Sequence, residues 1–190
     1  MPTVLCNAGP LMALGKLNRL DLLALPVDGA RQAQPARPVG RPLRARAETR
    51  AVYDEVVTQG LARGMADARV VRLFWQRQRW PVVTVPQAVL AAYQPAVILD
   101  PGETEVLALA QTLDDPLVLL DDEIARAEAR RLKLRVRGTL GVLARAYREG
   151  FLSFPQVELL LRQIAARPDI WIGAKLCEQV LASLNKAAAG

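Results

Sequence analysis

Oxygen-bearing side chains recur at four places along the chain. Asn7 follows the apolar stretch Thr3-Val4-Leu5-Cys6, and Glu55 follows Tyr53 and Asp54. Glu103 comes after Asp100-Pro101-Gly102, and Asp121 and Asp122 come after Leu117-Val118-Leu119-Leu120. Open parallel sheets bind ligands beyond the carboxyl ends of their strands, and Asn7 and the Asp121-Asp122 pair stand where two such ends are expected. Brought together, these residues make an oxygen-only pocket, the donor set that Mg²⁺ and Mn²⁺ prefer. Each also has an ordinary reading. Glu103 completes a near capping box with Asp100, and Asp121 or Asp122 can start the next helix. Asn7 ahead of Gly9-Pro10 can form a turn, and Glu55 can be a solvated helix residue. The signal lies in their order and in their shared relation to strand ends.

Composition narrows the chemistry. The 190 residues contain 0 His, which excludes Ser-His-Asp and Cys-His catalysis and every His-containing metal site. A general base or metal ligand must therefore come mainly from carboxylates. The 2 Cys, Cys6 and Cys177, lie far apart and read as reduced core thiols. At 52% hydrophobic the chain can bury a core. With 25 Lys+Arg against 19 Asp+Glu, the net charge is +6, and a polyanion is the expected partner. No signal peptide or membrane-length apolar run is visible, so the expectation is a cytoplasmic protein with no membrane association.

The elements that must position these residues alternate. Val4–Cys6 reads as a buried strand, and a helix with apolar residues at 11, 14, 17 and 20 follows from Pro10 and continues through Leu22 and Leu23. Residues 26–50 hold Pro26, Pro35, Pro38 and Pro42, with Arg at 31, 37, 41, 44, 46 and 50, and read as a flexible basic loop. Helices are expected over 49–61 and 66–78, and a strand over 82–85. Then come a helix from Pro101 to about Leu113, a strand over 117–120 and a helix through Ile124 and Leu132. A strand over 134–136, a helix opened by Gly138-Thr139, and helices over 155–166 and 173–185 complete the pattern. Strands alternating with helices imply a three-layer α/β/α sandwich around a central parallel sheet. The domain spans 1–155, and the C-terminal helices of 156–190 pack on it.

In this order the motifs resemble those of the PIN domains, within a bacterial and archaeal group related to the VapC-like toxin ribonucleases. The matching strings are Val4 to Leu17, Ala51-Val52-Tyr53-Asp54-Glu55-Val56 and Pro101-Gly102-Glu103-Thr104-Glu105. Leu119-Leu120-Asp121-Asp122-Glu123 and Arg137-Gly138-Thr139-Leu140-Gly141-Val142-Leu143 complete the set. The resemblance implies a metal-dependent ribonuclease, hydrolysing RNA phosphodiesters with Mg²⁺ or Mn²⁺. Carried over by position, Asn7, Glu55, Glu103 and either Asp121 or Asp122 are the metal ligands, with Glu105 the alternative for the third. The acids Glu55, Glu103, Asp121 and Asp122 are the catalytic set. Two departures stand out. Asn7 replaces the wider family's Asp, which removes a negative charge from the site. Ahead of Ala51 no apolar strand is evident, so the sheet is expected to be one strand short or the chain irregular there.

RNA is the implied macromolecular partner, with an antitoxin protein if the chain is the toxin of a toxin–antitoxin pair; a homodimer stays open. Arg126, Arg130 and Arg131, just after the paired Asp, are the candidate phosphate contacts. Trp75 to Trp80 reads either as a base-stacking platform or as core. A catalytically inactive PIN fold that binds nucleic acid or protein is the alternative function. A haloacid-dehalogenase-like phosphatase fits less well, because its nucleophile would fall in Asn7-Ala8-Gly9.

Overall fold

The computed structural model describes residues 3–25 and 46–188, with side chains up to residue 186. The strands are short: β1 (Val4–Cys6), β2 (Arg46–Thr49), β3 (Val82–Val83), β4 (Leu117–Leu119) and β5 (Arg135–Arg137). They form one parallel sheet in the order β3-β2-β1-β4-β5. Leu5 pairs with Ala47 on one side and with Val118 on the other, and Val118 pairs with Val136. The chain lays β2 and β3 to one side of β1 and then returns to lay β4 and β5 on the other. The carboxyl ends of β1 and β4 therefore flank the topological switch point, where open parallel sheets have their crevice. Leu5 and Val118 are fully buried, as expected for a sheet covered on both faces.

The helices are α1 (Ala8–Lys16), α2 (Arg50–Tyr53), α3 (Gly60–Ala62), α4 (Ala66–Gln78), α5 (Gln87–Ala92), α6 (Pro101–Ala110), α7 (Glu123–Arg131), α8 (Thr139–Arg148), α9 (Phe154–Ala166) and α10 (Ala174–Ala188). On one side α6 packs against β1, β2 and β4, and α2 packs against β2 and β3. On the other, α8 and a 3₁₀ turn at Leu20–Ala24 close a small cavity of about 30 Å³ against Val4, Leu117 and Leu119. The result is the expected α/β/α sandwich. The C-terminal α9 and α10 pack on each other and on α8.

The structure departs from the sequence reading in several places. Residues 46–49 are a strand, not part of a loop, so the sheet is not short at that point; the rest of the expected loop, 26–45, lies outside the described residues. The strand escapes notice because it reads Arg-Ala-Glu-Thr. Its ladder uses backbone groups alone, and the Arg46 guanidinium donates to the Ala24 carbonyl at 3.2 Å and the Leu25 carbonyl at 2.5 Å. The first helix ends at Lys16, because Asn18 takes a left-handed φ of 54°, a conformation Asn tolerates. Its apolar stripe continues in the 3₁₀ turn. Trp75 and Trp80 serve packing, which removes the stacking platform. Trp75 is 3% exposed and lies 5.1 Å from the Tyr53 ring, while Trp80 meets Phe74 edge-on. Both thiols, Cys6 and Cys177, are free and buried, and no helix among the described residues is long and apolar enough to cross a membrane.

Candidate functional site

At the end of β1, Asn7 continues the sheet, its amide donating to the Leu119 carbonyl at 2.9 Å. It occupies the N-cap of α1, yet its side chain caps nothing. Oδ1 is buried without a hydrogen-bond partner in a residue only 7% exposed. A buried acceptor left unmade costs about 1–3 kcal/mol, so the turn-forming role does not account for this side chain.

The orphaned oxygen faces Gly102, in the first turn of α6. A Cβ on Gly102 would lie 3.1 Å from Asn7 Oδ1, 3.2 Å from Val52 Cγ2 and 3.3 Å from Glu55 Oε2. Asn7 and Glu55, distant in the chain, therefore look into one small space that only glycine leaves open. Two features place Glu55 there. The Glu105 carboxylate accepts the Ala51 amide at 2.9 Å, fastening the start of α2 to α6. This gives Glu105 a structural role between the two helices. Glu55 itself lies in a π-helical turn, Asp54–Gln59, between α2 and α3, a deviation that re-aims side chains and is frequent at functional sites.

Glu103 is buried beside them. Its Oε2 accepts the Asp100 amide at 3.2 Å within a capping box, so the structural role is real. Burial raises its pKa above the ordinary carboxylate range; the Asp100 amide opposes this, and Asp122, Asp100 and Glu55 add to it. Glu55 is exposed overall, yet partial desolvation of its carboxylate pushes its pKa up, aided by Asp100 and opposed by Arg63. Glu103 thus feels the charges of Asp122, Asp100 and Glu55, and Asp100, which in sequence reads only as a cap, acts on both Glu103 and Glu55.

The paired acids separate. Asp122 is the N-cap of α7, accepting the Ala125 amide at 2.8 Å, and Glu103 still feels its charge. Asp121 is engaged with α8: Oδ1 accepts the Thr139 amide at 2.7 Å and Oδ2 the Thr139 hydroxyl at 2.6 Å. Burial raises its pKa, while Thr139 and Arg126 lower it. Close approach is permitted by Gly9 and Gly138, whose Cβ atoms would stand 3.4 Å from Oδ2 and 3.0 Å from Oδ1. Thr139, fully buried, is a supporting residue to which the sequence assigns no role, although it stands in the string Arg137 to Leu143.

Among the described residues no three Asp, Glu or Cys side chains stand close enough together to hold an ion. Asn7 Oδ1 and Glu55 Oε2 look into the Gly102 space, and Glu103 feels the Glu55 charge; all three offer oxygen, the donor type a hard divalent cation takes. Of the candidate phosphate contacts, Arg126 sits against the crevice, its guanidinium donating to the Asp121 carbonyl at 2.6 Å. Arg130 is exposed on α7. Arg131 is engaged twice by Glu128, at 2.7 Å each, because that buried carboxylate requires a counter-charge.

A family model described as a PIN domain matches residues 47–186. No curated protein and no solved structure matches the chain.

Proposed function

We propose that the chain, which belongs to the PIN-domain family, is a Mg²⁺- or Mn²⁺-dependent endoribonuclease. PIN domains are generally nucleases. The observation that carries the reading is the buried, unpartnered Asn7 Oδ1 sharing the Gly102 space with Glu55. It marks an acceptor kept for something other than the protein.

Asn7, Glu55 and Glu103 would hold the cation. When bound, it supplies Lewis-acid polarisation of the scissile phosphate and offsets the charge developing on its oxygens. Asp122, which that set leaves free of the cation, would carry the proton traffic. With 0 His in the chain, a carboxylate must orient the attacking water. Asp121 is the positioning acid, pinned by Thr139. Arg126 and Arg130 grip phosphates on the approach to the crevice, consistent with the +6 net charge. Growth arrest on expression, absent for Glu103→Gln, would extend the reading to the toxin half of a toxin–antitoxin pair.

Cleavage of an RNA panel with Mn²⁺ tests the proposal. Wild type cleaves, and Glu55→Gln, Glu103→Gln and Asp121→Asn each lose most of the rate. Asn7, an amide where the wider family has a carboxylate, favours one second reading: an inactive PIN fold that binds RNA. Metal-independent RNA binding with no cleavage by wild type would select it.

A further inference from the structure

The geometry points to Glu128 as a positioning residue for the acid crevice: it clips the segment ahead of Asp100 to α7 and so sets the separation between the start of α6 and the start of α7. The inference rests on the reading of the crevice given above and adds a residue that does not line it.

Glu128 sits midway along α7 with 1% of its side chain exposed. Its carboxylate is fully employed. Oε1 accepts the Ala96 amide at 3.2 Å and the Tyr93 hydroxyl at 3.3 Å, and Arg131 donates to Oε2 through Nε and to Oε1 through its terminal nitrogen, each at 2.7 Å. Tyr93 and Ala96 belong to the irregular stretch between α5 and α6. That stretch is fastened at its far end as well, where the Asp100 amide donates to Glu103 Oε2. One end is thus tied to the flank of α7, and the other delivers Asp100, Gly102 and Glu103 to the crevice. The N-terminus of the same α7 presents Asp122, whose charge Glu103 feels.

An aliphatic side chain would fill the same buried space at less cost, since a buried carboxylate must be paired and hydrogen-bonded. What the carboxylate adds is direction. It reaches a backbone amide in a segment that has no sheet or helix to fix it. The clip holds across the working pH range: Arg131, with the Ala96 amide and Tyr93, keeps Glu128 ionised with a pKa of about 2. Burial and the adjacent carboxylate push the Tyr93 phenol well above its usual range, so its proton stays in place. Arg131 is accordingly a structural counter-ion for the clip.

The test compares full-length wild type with Glu128→Ala, Glu128→Gln and Tyr93→Phe. Hydrogen exchange is followed by mass spectrometry over 93–103, and Mn²⁺ affinity by paramagnetic resonance. Glu128→Ala should speed exchange over 93–103 by about ten-fold while leaving α10 unchanged. It should also weaken Mn²⁺ binding by about ten-fold with the stoichiometry retained. Glu128→Gln, which keeps an acceptor for Ala96, should recover most of both. Tyr93→Phe, a milder change that leaves the charged pair intact, should move both readouts in the same direction and serves if Glu128→Ala does not fold. Unchanged exchange over 93–103, or faster exchange with unchanged Mn²⁺ affinity, overturns the positioning role while the crevice reading stands. Absence of Mn²⁺ binding by wild type overturns both.

Discussion

Thr139→Val removes a single hydroxyl and tests how Asp121 is held. Thr139 is fully buried and gives Asp121 both of its side-chain donors, the amide at 2.7 Å and the hydroxyl at 2.6 Å. Valine keeps the shape and deletes the second. A hydrogen bond to an ionised group contributes about 1.5–3 kcal/mol. For a domain of this size each kcal/mol moves Tm by about 2–4 °C, so Tm should fall by about 3–12 °C near neutral pH. The pH dependence has a definite sign. Burial already raises the Asp121 pKa, and Thr139 opposes it, so loss of the hydroxyl raises it further. The folded variant then takes up a proton at higher pH than the unfolded chain does. Its deficit is therefore largest above the variant's raised pKa, shrinks as the pH falls from there, and is smallest below the native pKa. Thermal unfolding followed by circular dichroism at several pH values reads both effects, with Thr139→Ser as the control that restores the hydroxyl. Equal Tm for Thr139→Val and wild type at every pH, or a Thr139→Ser variant as unstable as Thr139→Val, refutes the reasoning.

Gly102→Ala puts a methyl 3.1 Å from Asn7 Oδ1 and 3.3 Å from Glu55 Oε2; isothermal titration should show Mn²⁺ affinity reduced by about ten-fold or more. Because alanine suits a helix better than glycine, Tm should stay within about 4 °C of wild type. Glu48 is buried on β2, and burial raises its pKa well above the ordinary value, the Cys6 amide opposing it only in part. As pH rises past the ordinary carboxylate range the unfolded chain ionises first and the folded state loses stability, so Glu48→Met should stabilise the chain more at pH 8 than at pH 4. The gain at the higher pH should be about 1–3 kcal/mol by urea unfolding. Arg126→Ala should weaken RNA binding across sequences and reduce the slope of log affinity against log salt by about 1.

Much of the fold is written in apolar periodicity. The helix expected over 66–78 forms as α4 (Ala66–Gln78), and the continuous apolar run at 117–120 forms β4 with Leu120 buried beyond it. Where the signal is polar it fails. Arg46–Thr49 makes a strand from hydrogen-bonded backbone while the Arg46 and Thr49 side chains find partners elsewhere, and no hydropathy pattern announces that. The short α5 (Gln87–Ala92) lacks the length to show a period. At the site, the residue types and their order were legible, because acids beyond strand ends are visible in one dimension. What each acid does was not. Asp121 and Asp122 are adjacent in sequence, yet one is pinned by a threonine from α8 and the other caps α7. The sequence holds no trace of which is which. Likewise Arg131 reads as a surface cation until Glu128 is seen to need it.

Binding of Mn²⁺ to the wild-type chain, measured by titration alongside Glu55→Gln and Asn7→Asp, bears most directly on the claim that Asn7, Glu55 and Glu103 form one cation site. Saturable binding of one ion per chain is expected, weakened by about ten-fold or more in Glu55→Gln and tightened in Asn7→Asp, where a carboxylate replaces the amide. No saturable binding by wild type, or binding indifferent to both substitutions, contradicts it.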